Sequence, residues 1–226
     1  SIGKSMIFLE QVIAILWKDV RYELRSKQMW TGMGLFAILV LVIFNFAFDL
    51  RVDNKAAVAP GALWVAFVFA SILGLGRTIA AEREKGSMDR LLLCPVDRKA
   101  IYLAKLLGNM LFIGVVEVVA LPIFAALFDV PLFVGPLLAI VLLGTLGIAA
   151  VGTLFSAMAA ATQARELLLP ILVFPLIVPV VIGSVRATST LLVATANEPP
   201  WLGLIAAFDV IFLSVSMLTF VYVVEE

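Results

Sequence analysis

Residues 30–48 read Trp-Thr-Gly-Met-Gly-Leu-Phe-Ala-Ile-Leu-Val-Leu-Val-Ile-Phe-Asn-Phe-Ala-Phe, 19 positions without a charge. As a helix this run is about 28 Å long at 1.5 Å per residue, close to the roughly 30 Å hydrocarbon thickness of a bilayer. Five further runs share its character, at about 61–81, 101–127, 134–160, 167–185 and 201–224. The chain is 63% hydrophobic over 226 residues, more apolar surface than a soluble core of that size can hide. The reading is an all-α membrane protein with six transmembrane helices, forming a single membrane domain over 1–226.

Residues 7–28 precede the first span and differ from it. Leu9, Val12, Ile13, Leu16, Trp17, Val20 and Leu24 recur at helical spacing. Glu10, Gln11, Lys18, Asp19, Arg21, Glu23, Arg25 and Lys27 fill the other side. Such an amphipathic helix lies in the membrane interface, with Trp17 and Tyr22 suited to the headgroup level. The alternative is a helix packed against its own protein.

Between spans two and three sits a charged island, residues 82–99, which holds 9 of the 32 charged residues. Ser87 can cap a short helix over Met88–Leu93, Asp89 favours its first turn, and Pro95 stops it. Leu91, Leu92 and Leu93 then project apolar surface from a charged loop, the pattern of a docking element. Lys and Arg number five in 1–29, seven in 77–105 and one in 161–166, against three (Arg51, Lys55, Arg186) on the opposite side. Positive charge accumulates on the cytoplasmic side, so the island and both termini are expected there.

Composition narrows the chemistry. Net charge is zero, which argues against a nucleic-acid surface. Histidine is absent, removing the usual ligand of metals and heme. The single cysteine, Cys94, excludes an internal disulfide and reads as a small apolar residue of the docking helix. No catalytic, cofactor or metal site emerges. Two acids lie inside apolar spans, Glu117 in the third and Asp209 in the sixth. A charge at mid-bilayer costs about 2.5–3.5 kcal/mol on insertion scales. Each therefore faces protein or water or is protonated, serving either a gate, proton or partner site or a hydrogen bond across the bundle. Pro170, Pro175 and Pro179 interrupt the fifth span. Pro175 and Pro179 read as hinges or as static bends.

The segment Glu82-x-Glu84-x-Gly86-Ser87-x-x-x-Leu91-x-x-x-Pro95 resembles the loop after the second helix of ABC-2-type exporter permeases. Ala59-Pro60-Gly61-Ala62-Leu63-Trp64-Val65-Ala66, Gly86-Ser87 through Leu92 and Pro95, Leu103-Ala104-Lys105, Leu143-Gly144-Thr145 and the stretch Leu172 through Pro179 together resemble the heme exporter protein B (CcmB) family. The likeness covers residues 7–226. It implies the permease subunit of a cytochrome c maturation ABC transporter in the bacterial inner membrane, present as two copies. ATP would bind a separate CcmA-like subunit docked on Glu82, Glu84, Gly86, Ser87, Asp89, Arg90, Leu91, Leu92 and Pro95. The implied companions are a CcmC-like heme-handling membrane protein, a CcmE-like heme chaperone and membrane lipid; heme is handled by those subunits. The work done is heme export or ATP-driven release of the heme-loaded chaperone. Three alternatives stay open. They are an ABC-2 exporter of another substrate, a proton-coupled carrier using Glu117, and a scaffold that relays force without a transport path.

Overall fold

The computed structural model describes residues 2–49, 55–84, 96–131, 134–160, 165–193 and 200–223. Among them are seven helices and no strand: α1 (Ile2–Ser26), α2 (Gln28–Asp49), α3 (Lys55–Glu84), α4 (Arg98–Phe128), α5 (Val134–Ala160), α6 (Arg165–Val193) and α7 (Trp201–Val223). Six of them, α2 to α7, are long and apolar enough to cross a membrane. The all-α, six-span architecture read from hydropathy is the one observed.

The spans differ in how much of each is covered. The apolar stretches of α3 and α5 are 72% buried, against 17% for α2 and 28% for α7. α5 packs on α3, α4, α6 and α7, and α3 also meets α2, α4 and α6. These two helices therefore form the centre. Leu35, Leu39, Ile43 and Phe46 of α2 and Val210, Ile211, Val215 and Leu218 of α7 turn outward, exposed. Lipid tails are as apolar as leucine, so burying such side chains gains little inside a bilayer. Close packing and polar contacts hold the spans together instead.

Glycines on α5 make that packing possible. Gly144 receives Trp64 of α3 and Ser184 of α6. Gly147 receives Val180 of α6 with Phe208 and Asp209 of α7, and Gly152 receives Leu75 of α3. A Cβ at any of the three would fall on those atoms.

Several boundaries depart from the sequence expectation. α1 begins at Ile2, taking in residues 2–5, and ends at Ser26. Lys27, with a left-handed φ of 52°, makes the turn into α2. Pro60 is the sixth residue of α3 and not its start. α4 runs from Asp97, whose carboxylate accepts the Lys99 N–H at 2.9 Å, straight through Pro122 to a left-handed Asp129 cap. α6 passes all three prolines and continues to Val193, eight residues beyond 185, so Arg186 stands on a helix and not in a loop. Two hydroxyls beyond the expected end at 185 are satisfied locally. Thr188 Oγ1 donates to the Ser184 carbonyl and Thr190 Oγ1 to that of Ala187, each at 2.8 Å, so they do not break the helix.

The largest correction concerns α1. Its expected polar side is divided: Asp19 and Glu23 are 9% and 7% exposed, buried with Val12 and Ile15 against the bundle. The expected apolar stripe is divided too. Val12 packs inward while Leu9, Ile13, Trp17 and Leu24 remain about half to two thirds exposed. The helix thus has a protein-facing side and a separate apolar exposed side, joining the two alternatives posed by its sequence.

Candidate functional site: a polar seam inside the bundle

Gln11, Ile15, Asp19 and Glu23 recur every fourth residue and so share one side of α1. Three of them reach neighbouring helices through polar contacts. Gln11 Oε1 accepts the Asp97 N–H at the start of α4, 3.3 Å away. Asp19 Oδ2 accepts from Lys105 Nζ of α4 at 2.6 Å. Glu23 Oε1 accepts the Met29 N–H at 2.8 Å, satisfying one of the orphan amides at the start of α2. Gln11 with Asp97 and Asp19 with Lys105 are both 86 residues apart, so α1 and the first turns of α4 run in the same direction. The segment that leaves the charged island is thereby bound to α1.

Lys105 is completely buried. An unpaired ammonium there would be costly, and Asp19 offsets that cost with a charge-assisted hydrogen bond. Lys18 approaches the other Asp19 oxygen at 3.4 Å from the exposed side. Composition counted Lys105 only as one more cytoplasmic-side charge. Its pairing was invisible because Asp19 lies 86 positions away.

Further along α4, Asn109 and Glu117 turn to α5 instead. Asn109 Nδ2 donates to Thr153 Oγ1 of α5 at 2.8 Å, and Thr145 Oγ1 of α5 donates to Glu117 Oε1 at 2.6 Å. Eight residues on along α4 correspond to eight residues back along α5, an antiparallel register. Glu117 stands about 18 Å from Lys105 along the helix axis. Of its two sequence readings, the hydrogen bond across the bundle is the arrangement present. Tyr102 adds a bond from its hydroxyl to the Ala150 carbonyl at 3.1 Å. On the other flank, Trp64 Nε1 donates to Thr188 Oγ1 at 3.0 Å and ties α3 to α6.

Asp209 is different. It is 3% exposed, it abuts Gly147 and the α5–α6–α7 junction, and neither carboxyl oxygen has a hydrogen-bond partner in the structure. Ser184 Oγ, against Gly144, is likewise buried and unpaired. Glu117 and Asp209 thus stand against α5 at positions only two residues apart, Thr145 and Gly147, one satisfied and one not. Two residues along a helix turn about 200°, which puts the acids on opposite flanks of α5.

Pro175 and Pro179 lie on the exposed side of α6, while Val173, Ile177, Val180 and Ser184 face the bundle. Their missing N–H groups leave the carbonyls of Ile171 and Pro175 without helical partners, on the outward side. α3 ends at Glu84, so Glu82 and Glu84 are placed as its last turn, and nothing is described of their side chains. Gly86, Ser87, Asp89, Arg90, Leu91, Leu92 and Pro95 lie outside the described residues, so the expected docking helix is not part of this geometry. Among the described residues no group of three His, Cys, Asp or Glu side chains could hold a metal ion. A groove of about 240 Å³ opens between Met29, Met33, Phe36 and Leu39 of α2 and Leu73 of α3, and the side chains lining it are apolar.

These features can be set beside known proteins. A protein called heme exporter protein B from Rhodobacter capsulatus is 33% identical over 171 residues, covering 75% of this chain and 78% of its own length. The protein of the same name from Pseudomonas aeruginosa is 32% identical over 178 residues, 77% of this chain and 80% of that one. The one from Haemophilus influenzae is 28% identical over 195 residues, 86% and 85%. The matches extend well beyond a single span, as a shared packing pattern requires. The sequence profile of the CcmB protein family matches residues 10–225, from the first turns of α1 to the end of α7, and the chain belongs to that family.

Proposed function

We propose that this protein is the membrane permease subunit of an ABC transporter that serves cytochrome c biogenesis by exporting heme or by releasing a heme-loaded chaperone. The observation that carries the reading is the family match over residues 10–225, with relatives named heme exporter protein B. The chain is not itself an enzyme in this reading: a separate CcmA-like subunit binds and hydrolyses ATP. Two copies of the permease form the membrane core in the bacterial cytoplasmic membrane, with both termini and the 82–99 island in the cytoplasm. CcmC-like and CcmE-like companions handle the heme.

Mechanically, the ATP-binding subunit pushes on the island, with Leu91 and Leu92 as its apolar contacts and Glu82, Glu84, Asp89 and Arg90 as its charged rim. α4 begins within the last residues of the island, at Asp97–Arg98, and α1 is bonded to its first turns through Gln11 and Asp19. Displacement there moves α1 and the lower half of α4 together. Glu23 carries it to the first turn of α2. Pro175 and Pro179 allow α6 to yield, because their freed carbonyls face outward.

Two measurements test this reading. Purification of the intact complex from its native membrane should recover an ATP-binding subunit and a heme chaperone with the chain; recovery of neither would overturn it. Leu92→Asp should release the ATP-binding subunit while the variant still inserts into the membrane. Undiminished pull-down would move the docking site elsewhere.

A further inference from the structure

α1 has three distinct sides, and only one meets the bundle. Val12, Ile15, Asp19 and Glu23 form the buried side. Ile13, Trp17 and Leu24 form an exposed apolar row, 61%, 64% and 49% accessible. Lys18, Arg21 and Arg25, spaced i, i+3 and i+7, form an exposed basic row beside it.

The tertiary structure changes the charge that this helix presents. In sequence, residues 17–27 alternate Lys18, Asp19, Arg21, Glu23, Arg25 and Lys27. In the fold both acids turn inward: Asp19 pairs with Lys105 at 2.6 Å and Glu23 caps α2 through Met29. All four basic residues stay exposed, with Lys18 reaching back to Asp19 at 3.4 Å. The one exposed acid described on α1 is Glu10, eleven residues and about 16 Å from Arg21 along the axis. A helix of mixed charge thus shows the outside a cationic half.

We propose that this outer side of α1, centred on Arg21 and Arg25 with Trp17 and Leu24 beside them, binds the headgroups of anionic phospholipids. The occupant follows from adjacency. A phospholipid offers an anionic phosphate next to apolar chains, and α1 offers a basic row next to an apolar row. A guanidinium matches a phosphate in bidentate geometry. Lys27 alone separates α1 from the span α2, which keeps the helix at the bilayer surface, where a charged lipid face attracts each nearby Lys or Arg. Free phosphate would leave the apolar row uncovered. The site requires neither a particular cargo nor an ATP-binding subunit.

The test uses the full chain in its purified complex, reconstituted into bilayers of equal phosphatidylglycerol and phosphatidylcholine and then extracted into mild detergent. The ratio of the two lipids that stay bound is measured. Arg21→Gln and Arg25→Gln should each lower the phosphatidylglycerol preference about fivefold at low salt, with high salt reducing the wild-type preference in the same direction. Arg186→Gln, on α6, should leave it unchanged. Arg21→Lys/Arg25→Lys, which keeps the charge, should retain most of it, and monodisperse elution of every variant guards against misfolding. An unchanged ratio in both Arg21→Gln and Arg25→Gln would overturn the proposal, as would an equal loss in Arg186→Gln. Loss of an acidic protein subunit with the lipid ratio intact would assign this face to that protein instead, and the lipid site would be wrong.

Discussion

Lys105 Nζ stands 2.6 Å from Asp19 Oδ2, and the two side chains are 0% and 9% exposed. The pair holds an N-terminal helix against the start of the third span, with both charges out of water. Removing one partner leaves the other buried with its charge less well compensated, which costs more than removing both. Lys105→Met leaves Asp19 only Lys18 at 3.4 Å and should therefore destabilise the purified protein, by less than the roughly 3–5 kcal/mol of a fully unpaired buried charge, read as a lower thermal midpoint in detergent. Asp19→Leu/Lys105→Met should recover most of the loss. A double variant less stable than Lys105→Met would contradict the pairing.

Glu117 offers a cleaner separation of roles. Its carboxylate accepts from Thr145, and a glutamine oxygen in the same place can accept that bond too. Under the proposed function, Glu117→Gln is expected to leave cytochrome c maturation within about twofold of wild type, with stability changed by roughly 1 kcal/mol or less, the range of hydrogen bonds between spans. A proton carrier built on Glu117 predicts abolished activity instead. Measured yield of mature cytochrome c decides between them.

Asp209 should behave in the opposite sense. A buried polar group without a partner costs about 1–3 kcal/mol, so Asp209→Ala is expected to raise the thermal midpoint. If maturation falls while stability rises, the carboxyl is kept for function at the cost of stability. A lowered midpoint would mean that Asp209 holds the α5–α6–α7 junction together.

The glycines of α5 can be tested by size. Gly144→Ala places a Cβ on the buried Trp64 ring and on Ser184 Oγ and should cost about 1–3 kcal/mol, the range for overpacked sites. Gly135→Ala, on the same helix with nothing within 4 Å, should be neutral. Trp64→Phe combined with Gly144→Ala should regain part of the loss, since the smaller ring vacates the contested volume. Equal effects at positions 135 and 144 would show that helix propensity, not contact, governs both.

Heme binding supplies the fifth test. The chain contains no histidine, and the groove on α2 is apolar. Titration of the purified chain alone with heme should give no sharp Soret band at one equivalent. Such a band would place a heme site on this subunit.

How much of this was legible beforehand differs by element. Residues 30–48 announced a span because an uncharged run of bilayer length has no other stable setting, and the other five followed from the same constraint. Ends were less legible. The fifth span was expected to end at 185, yet Thr188 and Thr190 bond within the helix and α6 continues. Pro60, just before the expected start of the second span at about 61, sits more than a turn inside α3 because Lys55–Ala59 also wind into it. Glu117 and Asp209 could be singled out by the cost of charge in an apolar span. Their partners could not, since Thr145 is 28 positions from Glu117 and hydropathy carries no information about which helices touch.

Amino-acid order alone settled that the chain is helical, that it enters the membrane six times and that an amphipathic helix precedes the first span, because solvation of the backbone and of apolar side chains is a local matter. Tertiary structure alone decided which charges meet: Asp19 and Glu23 inside with Lys105 and Met29, Arg21 and Arg25 outside. Pairing depends on distance in space between residues remote in sequence, and the physical reason it matters is that a buried charge is tolerable only beside its partner.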